Sequence, residues 1–163
     1  MMDFVFDIDG TLADASHRLP HITNPEQPKN WDAFFAGVVD DKPIPEAWAI
    51  LNALVGEHHN ILFITGRPER LREQTYDWLT HLDGDCRTYA AWYWRDCPSS
   101  RKPVLYMRGN DDRRPSSEVK RDLLARARLD NFDPKVAFED RAADAQMWRD
   151  EGLFCCQVDE GVF

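Results

Sequence analysis

Two aspartates one residue apart, in the run Asp7-Ile8-Asp9-Gly10-Thr11, have the types and spacing to do chemistry. Such a pair divides labour. The first carboxylate can attack phosphorus as a nucleophile and bind a divalent cation, while the second holds and releases the leaving group's proton. An ordinary Asp-Gly turn would account for Asp9-Gly10, but neither for Asp7 at the end of an apolar run nor for Thr11. Thr65-Gly66-Arg67 offers a hydroxyl and backbone N–H groups that can hold a phosphoryl oxygen, and Pro68 is placed to open a helix whose positive end adds to that grip. Lys120 falls just inside a third helix that Ser116 or Ser117 could cap. A cation there opposes the helix dipole, so it is expected to be bound to negative groups or well solvated. Glu139-Asp140-Arg141 supplies a second acidic pair, suited to a divalent cation and equally to an ordinary helix cap. Nucleophile, hydroxyl, cation and metal-binding carboxylates together make a phosphoryl-transfer site.

These groups need elements that bring them to one place. Short apolar runs recur at Phe4-Val5-Phe6, Ile61 to Ile64, Val104 to Met107, Val136-Ala137-Phe138 and Leu153 to Val158. Each reads as a buried strand. Between most of them lie helical periodicities: Ala47, Ile50, Leu51 and Leu54; Leu71, Thr75, Trp78 and Leu79; Val119, Leu123, Leu124 and Ala127; Ala142, Ala145, Met147 and Trp148. The alternation predicts an α/β fold, a three-layer Rossmann-like arrangement with a mostly parallel central sheet and helices on both faces. In such folds ligands bind beyond the carboxyl ends of the strands, which points to residues 7 to 11, 65 to 67, 108 to 114 and 139 to 141. Residues 13 to 45, with five of the ten prolines, and residues 83 to 114 are expected to be loop or lid insertions over those ends.

With 163 residues, 43% hydrophobic and 30% charged, one globular domain spanning 1–163 is expected, and disorder is excluded. No apolar stretch approaches the roughly 20 residues of a membrane span, and the start lacks a signal-peptide pattern, so a cytoplasmic protein without membrane contact is expected. The formal charge of -9 argues against a general electrostatic grip on nucleic acid, yet not against a local basic pocket, since 15 of the 20 basic residues are Arg. Cys86, Cys97, Cys155 and Cys156 form no zinc-type spacing and read as free thiols. His17, His21, His58, His59 and His81 receive no role. Trp92, Tyr93 and Trp94 could stack bases, though core packing is favoured.

The set Asp7-x-Asp9-Gly10-Thr11, Thr65-Gly66-Arg67, Lys120 and Glu139-Asp140 resembles the four motifs of the haloacid dehalogenase (HAD) superfamily of phosphohydrolases. Within it, the chain is similar to the 3'-phosphatase domain of bacteriophage T4-type polynucleotide kinase-phosphatases. That likeness rests on Arg18, Arg67, the block from Asp112 to Lys120, and the tail from Ala137 to Phe163. The resemblance implies that Asp7 forms an aspartyl-phosphate and that Asp9 is the general acid/base. It implies Mg2+ held by Asp7, the backbone carbonyl of Asp9 and Asp140, with Glu139 touching either the metal or its waters. Thr65 and Lys120 would bind the transferring phosphoryl group, and Arg18, Gly66, Arg67 and Asp112 the substrate. No GxxxxGK[ST] loop is present, so a kinase half is missing from the sequence and a separate kinase or ligase partner is implied.

The expected activity is therefore a Mg2+-dependent phosphomonoesterase, a polynucleotide 3'-phosphatase of phage-like type acting in nucleic acid repair on phosphorylated ends or nucleotides. The rival with the same chemistry is a HAD nucleotidase or small-molecule phosphatase. A catalytically silent scaffold is the rival of another class, disfavoured because every acidic and cationic position is intact.

Overall fold

The computed structural model describes residues 1–81, 87–96 and 102–161. In chain order its elements are β1 (Asp3–Phe6), β2 (Ala13–Asp14), α1 (Pro20–Thr23), α2 (Trp31–Ala36), β3 (Lys42–Pro43), α3 (Pro45–Gly56), β4 (Asn60–Pro68), α4 (Arg72–Leu79), α5 (Thr88–Asp96), β5 (Val104–Arg108), α6 (Ser116–Leu129), β6 (Pro134–Glu139), α7 (Ala142–Asp150) and β7 (Phe154–Gln157). Five strands form one sheet in the order β5-β4-β1-β6-β7, every pair parallel.

The apolar runs make this sheet because it is covered on both faces, so successive residues of one strand serve opposite cores. Phe4 and Phe6 of β1 pack with Phe63, Trp48, Leu51 and Trp78 on the side of α3, α4 and α5. Val5, between them, packs with Leu62, Leu124, Met147 and Trp148 on the side of α6 and α7. Truncating one of these buried side chains to Ala would cost about 2–5 kcal/mol. Pro45 opens α3 with its φ already helical, and Trp48 Nε1 donates to Leu12 O at 3.1 Å, tying the helix to the turn after β1.

The three-layer α/β expectation holds, with local corrections. The expected junction at 65 to 67 is not beyond a strand: β4 runs on to Pro68, with a register irregularity between Thr65 and Pro68. Pro68 therefore ends a strand rather than opening a helix. Neither Ser116 nor Ser117 caps α6. The N-cap position is Pro115, with no side-chain cap, because Ser116 Oγ donates instead to Asp144 Oδ2 at 2.8 Å. The insertion at 13 to 45 is not a bare loop. It holds the β2–β3 ladder and the short helices α1 and α2, a small cap beside the sheet edge. Within 83 to 114, α5 replaces expected loop, its Trp94 buried against Phe63 at 5.6 Å. Cys86 and Cys97 lie outside the described residues, while Cys155 and Cys156 are free thiols. No helix among the described residues is long and apolar enough to cross a membrane.

Candidate active site

β1 is the central strand, and the chain leaves it straight into the site. Asp7 N still donates to Phe138 O at 3.0 Å, so Asp7 is held as if it were one more strand residue. The turn then closes on itself, with the amides of Thr11, Leu12 and Ala13 all donating to Ile8 O. Gly10 adopts φ +86, and a Cβ there would stand 2.3 Å from Asp140 Oδ2. Only glycine satisfies both conditions.

Asp7 and Asp9 lie in different surroundings. Lys120, 2% exposed, reaches in from α6 and sets its ammonium 3.0 Å from Asp7 Oδ1, 2.6 Å from Glu139 Oε2 and 3.0 Å from Asp144 Oδ2. Three donors thus meet three carboxylates, which answers the unfavourable helix position. Burial works against its charge, but Asp7, Glu139 and Asp144 outweigh it and hold Lys120 protonated well above its ordinary value. Burial pushes Asp7 well above the usual carboxylate range. Lys120 opposes that shift, while the charges of Glu139, Asp140 and Asp9 reinforce it. Burial, then Glu139, pushes Asp140 up to about 7.

Asp9 faces the other way. Its Oδ1 accepts from Arg18 at 2.6 Å and from Arg67 Nε at 2.9 Å and a terminal guanidinium nitrogen at 2.6 Å. The same arginines bond to Asp41, 4% exposed, at 2.7 Å each. Burial raises the Asp9 value, but Arg67 and Arg18 more than reverse it and hold it at about 2. The ring Asp9–Arg18–Asp41–Arg67 is a closed alternation of charge, and His17 Nε2 and Asp41 Oδ1 share a further contact at 2.9 Å.

Oxygen atoms of Asp7, Glu139 and Asp140 all lie within 4.8 Å of one another. Asp140 Oδ1 is buried with no hydrogen-bond partner, an orphan that a hard cation would satisfy. Glu139 is already engaged: Oε2 by Lys120 and by Trp148 Nε1 at 3.1 Å, Oε1 by the Arg141 amide. The acidic donor set fits Mg2+, with Asp7 and Asp140 the carboxylates best disposed to hold it.

A cavity of about 380 Å³ opens above Asp7, Asp9 and Lys120. Its rim carries Arg108, Arg113, Arg114 and Arg141, and one wall carries Trp31, Phe34 and Phe35 of the cap. Of the residues expected from sequence, Asp7, Asp9, Gly66, Asp112 and Lys120 line it. Arg18 and Arg67, 1% and 0% exposed, stand behind Asp9 rather than on the wall. Thr65 is fully buried, its hydroxyl accepting from the Arg67 amide at 3.2 Å. The Asp112 carboxylate pairs with Arg114 at 2.7 Å. Sequence reasoning missed four residues. Asp144 stands in the first turn of α7, where an acid reads as an ordinary helix-start residue. Arg108, which grips Gly66 O at 3.0 Å and the carbonyls of Asp112 and Arg114, ends an apolar run. Asp41 lies in an aperiodic segment that carries no signal, and Trp31 was hidden in an aromatic run. Trp92, Tyr93 and Trp94 do not line the cavity.

A parallel sheet of this order, with carboxylates and a lysine gathered at its carboxyl edge, has the architecture of the haloacid dehalogenase-type fold. A family profile described as the polynucleotide kinase PNKP phosphatase domain matches residues 2–163, and the chain belongs to that family. Among solved structures it is similar to a chain of a Pnkp1/Rnl/Hen1 RNA repair complex, with a TM-score of 0.68 and 22% identity over 99% of this chain and 43% of that one. The chain thus spans less than half the length of that relative. It also shares the fold of a haloacid dehalogenase-like hydrolase from Streptococcus pneumoniae, with a TM-score of 0.60 and 12% identity over 98% and 87% of the two chains. A phosphatase structure from Clostridium difficile gives 0.59 and 17% over 95% and 83%.

Proposed function

We propose that this chain acts as a single domain, 1–163, and is a Mg2+-dependent polynucleotide 3'-phosphatase that works through a phosphorylated Asp7. The observation that carries the chemistry is the buried set Asp7, Glu139, Asp140 and Lys120 at one sheet edge, open to a cavity with basic rim and aromatic wall. Asp7 and Asp140, with the backbone carbonyl of Asp9, would hold Mg2+. When bound, the ion supplies positive charge against the phosphoryl oxygens.

Asp7 attacks phosphorus, the bond from phosphorus to the 3'-oxygen breaks, and the proton needed by that oxygen comes from Asp9. In the second half Asp9 takes a proton from water, the water oxygen attacks phosphorus, and the acyl-phosphate bond breaks to return Asp7 and release inorganic phosphate. Held at about 2, Asp9 alone is a base. The dianionic phosphate arriving beside it raises its proton affinity and lets it serve as the acid first. Lys120 keeps the nucleophile and the incoming phosphate from repelling one another. Thr65 and the Gly66 backbone take a phosphoryl oxygen, the Thr65 hydroxyl donating to it while still accepting from the Arg67 amide. Arg18 and Arg67 orient Asp9, and Asp112 acts through the rim.

The Pnkp1 chain occurs with Rnl and Hen1, which supports a kinase or ligase acting with this chain as a separate partner in end repair. The test compares phosphate release, with Mg2+ present, from a 3'-phosphorylated oligonucleotide, a 3'-nucleoside monophosphate and a 5'-nucleoside monophosphate. Preference for the 3'-phosphorylated oligonucleotide is expected. Preference for the 5'-monophosphate overturns the 3'-end reading in favour of a nucleotidase.

A further inference from the structure

The cap wall contains more than the phosphate chemistry needs. Trp31 leaves 40% of its surface exposed, lies near-parallel to Phe35 at 5.9 Å and meets Phe34 edge-on at 5.8 Å. Lys29 Nζ stands 5.7 Å from the centre of the Trp31 ring. A second hollow of about 470 Å³ adjoins the first, and the two share Lys29, Trp31 and Arg113. Neither Lys29 nor Arg113 makes an ion pair among the described residues, whereas Asp32, which also borders the outer hollow, is paired with Arg70 at 3.2 Å. Arg114, next to Arg113, is spent on Asp112 and Asp122.

We propose that this wall seats the last two nucleotides of the strand, with Trp31 stacking on the terminal base and Lys29 and Arg113 holding the phosphodiester that follows it. The inference rests on the 3'-phosphatase reading above and deepens it by assigning the residues that select a polynucleotide. A ring with 40% of its surface exposed, with Lys29 over it and Arg113 lining the same hollows, neither in an ion pair among the described residues, complements an aromatic base joined to a phosphodiester. A sugar phosphate has no aromatic ring to place there. A mononucleotide would fill only the inner hollow, whereas a strand has somewhere to continue. The overall charge of -9 confines this grip to the rim, so salt should act on it with the shallow slope of about one phosphate contact.

The test measures kcat/KM on a 3'-phosphorylated oligonucleotide, a 3'-nucleoside monophosphate and glycerol 2-phosphate, which has no ring. Trp31→Ala is expected to lower the preference for the oligonucleotide over glycerol 2-phosphate by about tenfold, chiefly through KM, with Trp31→Phe restoring most of it. The double change Lys29→Ala and Arg113→Ala is expected to lower the preference for the oligonucleotide over the monophosphate by about tenfold and to flatten the salt dependence of oligonucleotide KM. Equal losses on all three substrates, or unchanged preferences, overturn the assignment while a wild-type protein active on the oligonucleotide leaves the 3'-phosphatase reading standing. A wild-type protein active on glycerol 2-phosphate and on neither nucleotide overturns both.

Discussion

The two halves of the site solve opposite electrostatic problems within three residues of chain. On the Lys120 side three buried carboxylates, Asp7, Glu139 and Asp144, surround one ammonium, and a fourth, Asp140, stands beside Asp7 and Glu139. On the Arg67 side two carboxylates alternate with two guanidinium groups. In the first half burial, reinforced by neighbouring carboxylates and only partly opposed by Lys120, raises the proton affinity of Asp7 and Asp140, while in the second Arg67 and Arg18 more than reverse burial and depress that of Asp9. The lesson is that proximity in sequence did not set these values. Burial, and the charged partners delivered by β4, β6, α6 and the cap, did. An under-neutralised pocket invites a divalent cation, and a neutral one holds a proton carrier in place.

Substitutions at both ends test this contrast. Asp7→Asn removes the nucleophile and is expected to cost at least about 10^4-fold in kcat with the circular dichroism spectrum unchanged. Asp9→Asn removes only proton transfer and is expected to cost about 10²–10⁴-fold, with burst release of the alcohol lost first. Asp41→Asn touches no reacting atom but leaves two buried guanidinium groups facing one carboxylate. A loss of about 3–5 kcal/mol in urea unfolding is expected, and an unchanged midpoint would mean that the ring is not structural.

The under-neutralised half predicts a response to metal. At a free Mg2+ concentration about 100 times Kd, a gain of about 2.7 kcal/mol in stability is expected, and Asp140→Asn should remove most of the accompanying rise in Tm. The same half also sets a pH dependence. Asp140 ordinarily titrates at 3.8 and is raised to about 7 here, so the folded state binds more protons than the unfolded one between those values. Metal-free stability therefore falls as pH rises from about 4 to 7, by at most about 1.4 kcal/mol per pH unit for this group. Asp9 has the opposite sign, its contribution being present above its ordinary value and lost as pH falls toward 2. Chemical denaturation at successive pH values, compared between wild type and Asp140→Asn, separates the two.

The strands were legible because a doubly covered parallel sheet demands unbroken apolar runs, and Phe4 to Phe6 and Ile61 to Ile64 have them. The acids and Lys120 were legible because each falls at a strand or helix end. The cap was not, since its helices are four and six residues long, too short for periodicity to declare itself. Asp41 was invisible for a related reason: its partners are 23 and 26 residues away, and no local pattern encodes a contact made only when the cap folds down. Arg18 and Arg67 were recognised through resemblance, yet their place behind Asp9 needed coordinates.

The central position of β1 also governs the order in which the molecule comes apart. Flanked by β4 and β6 and covered on both faces, it has no edge from which to fray. Its amides should therefore exchange with deuterium only through global unfolding. The short helices α1 and α2 of the cap, away from the buried Arg18 and Asp41, should exchange through local opening at lower free energy. Opening of those two helices would leave the nucleophile's strand closed.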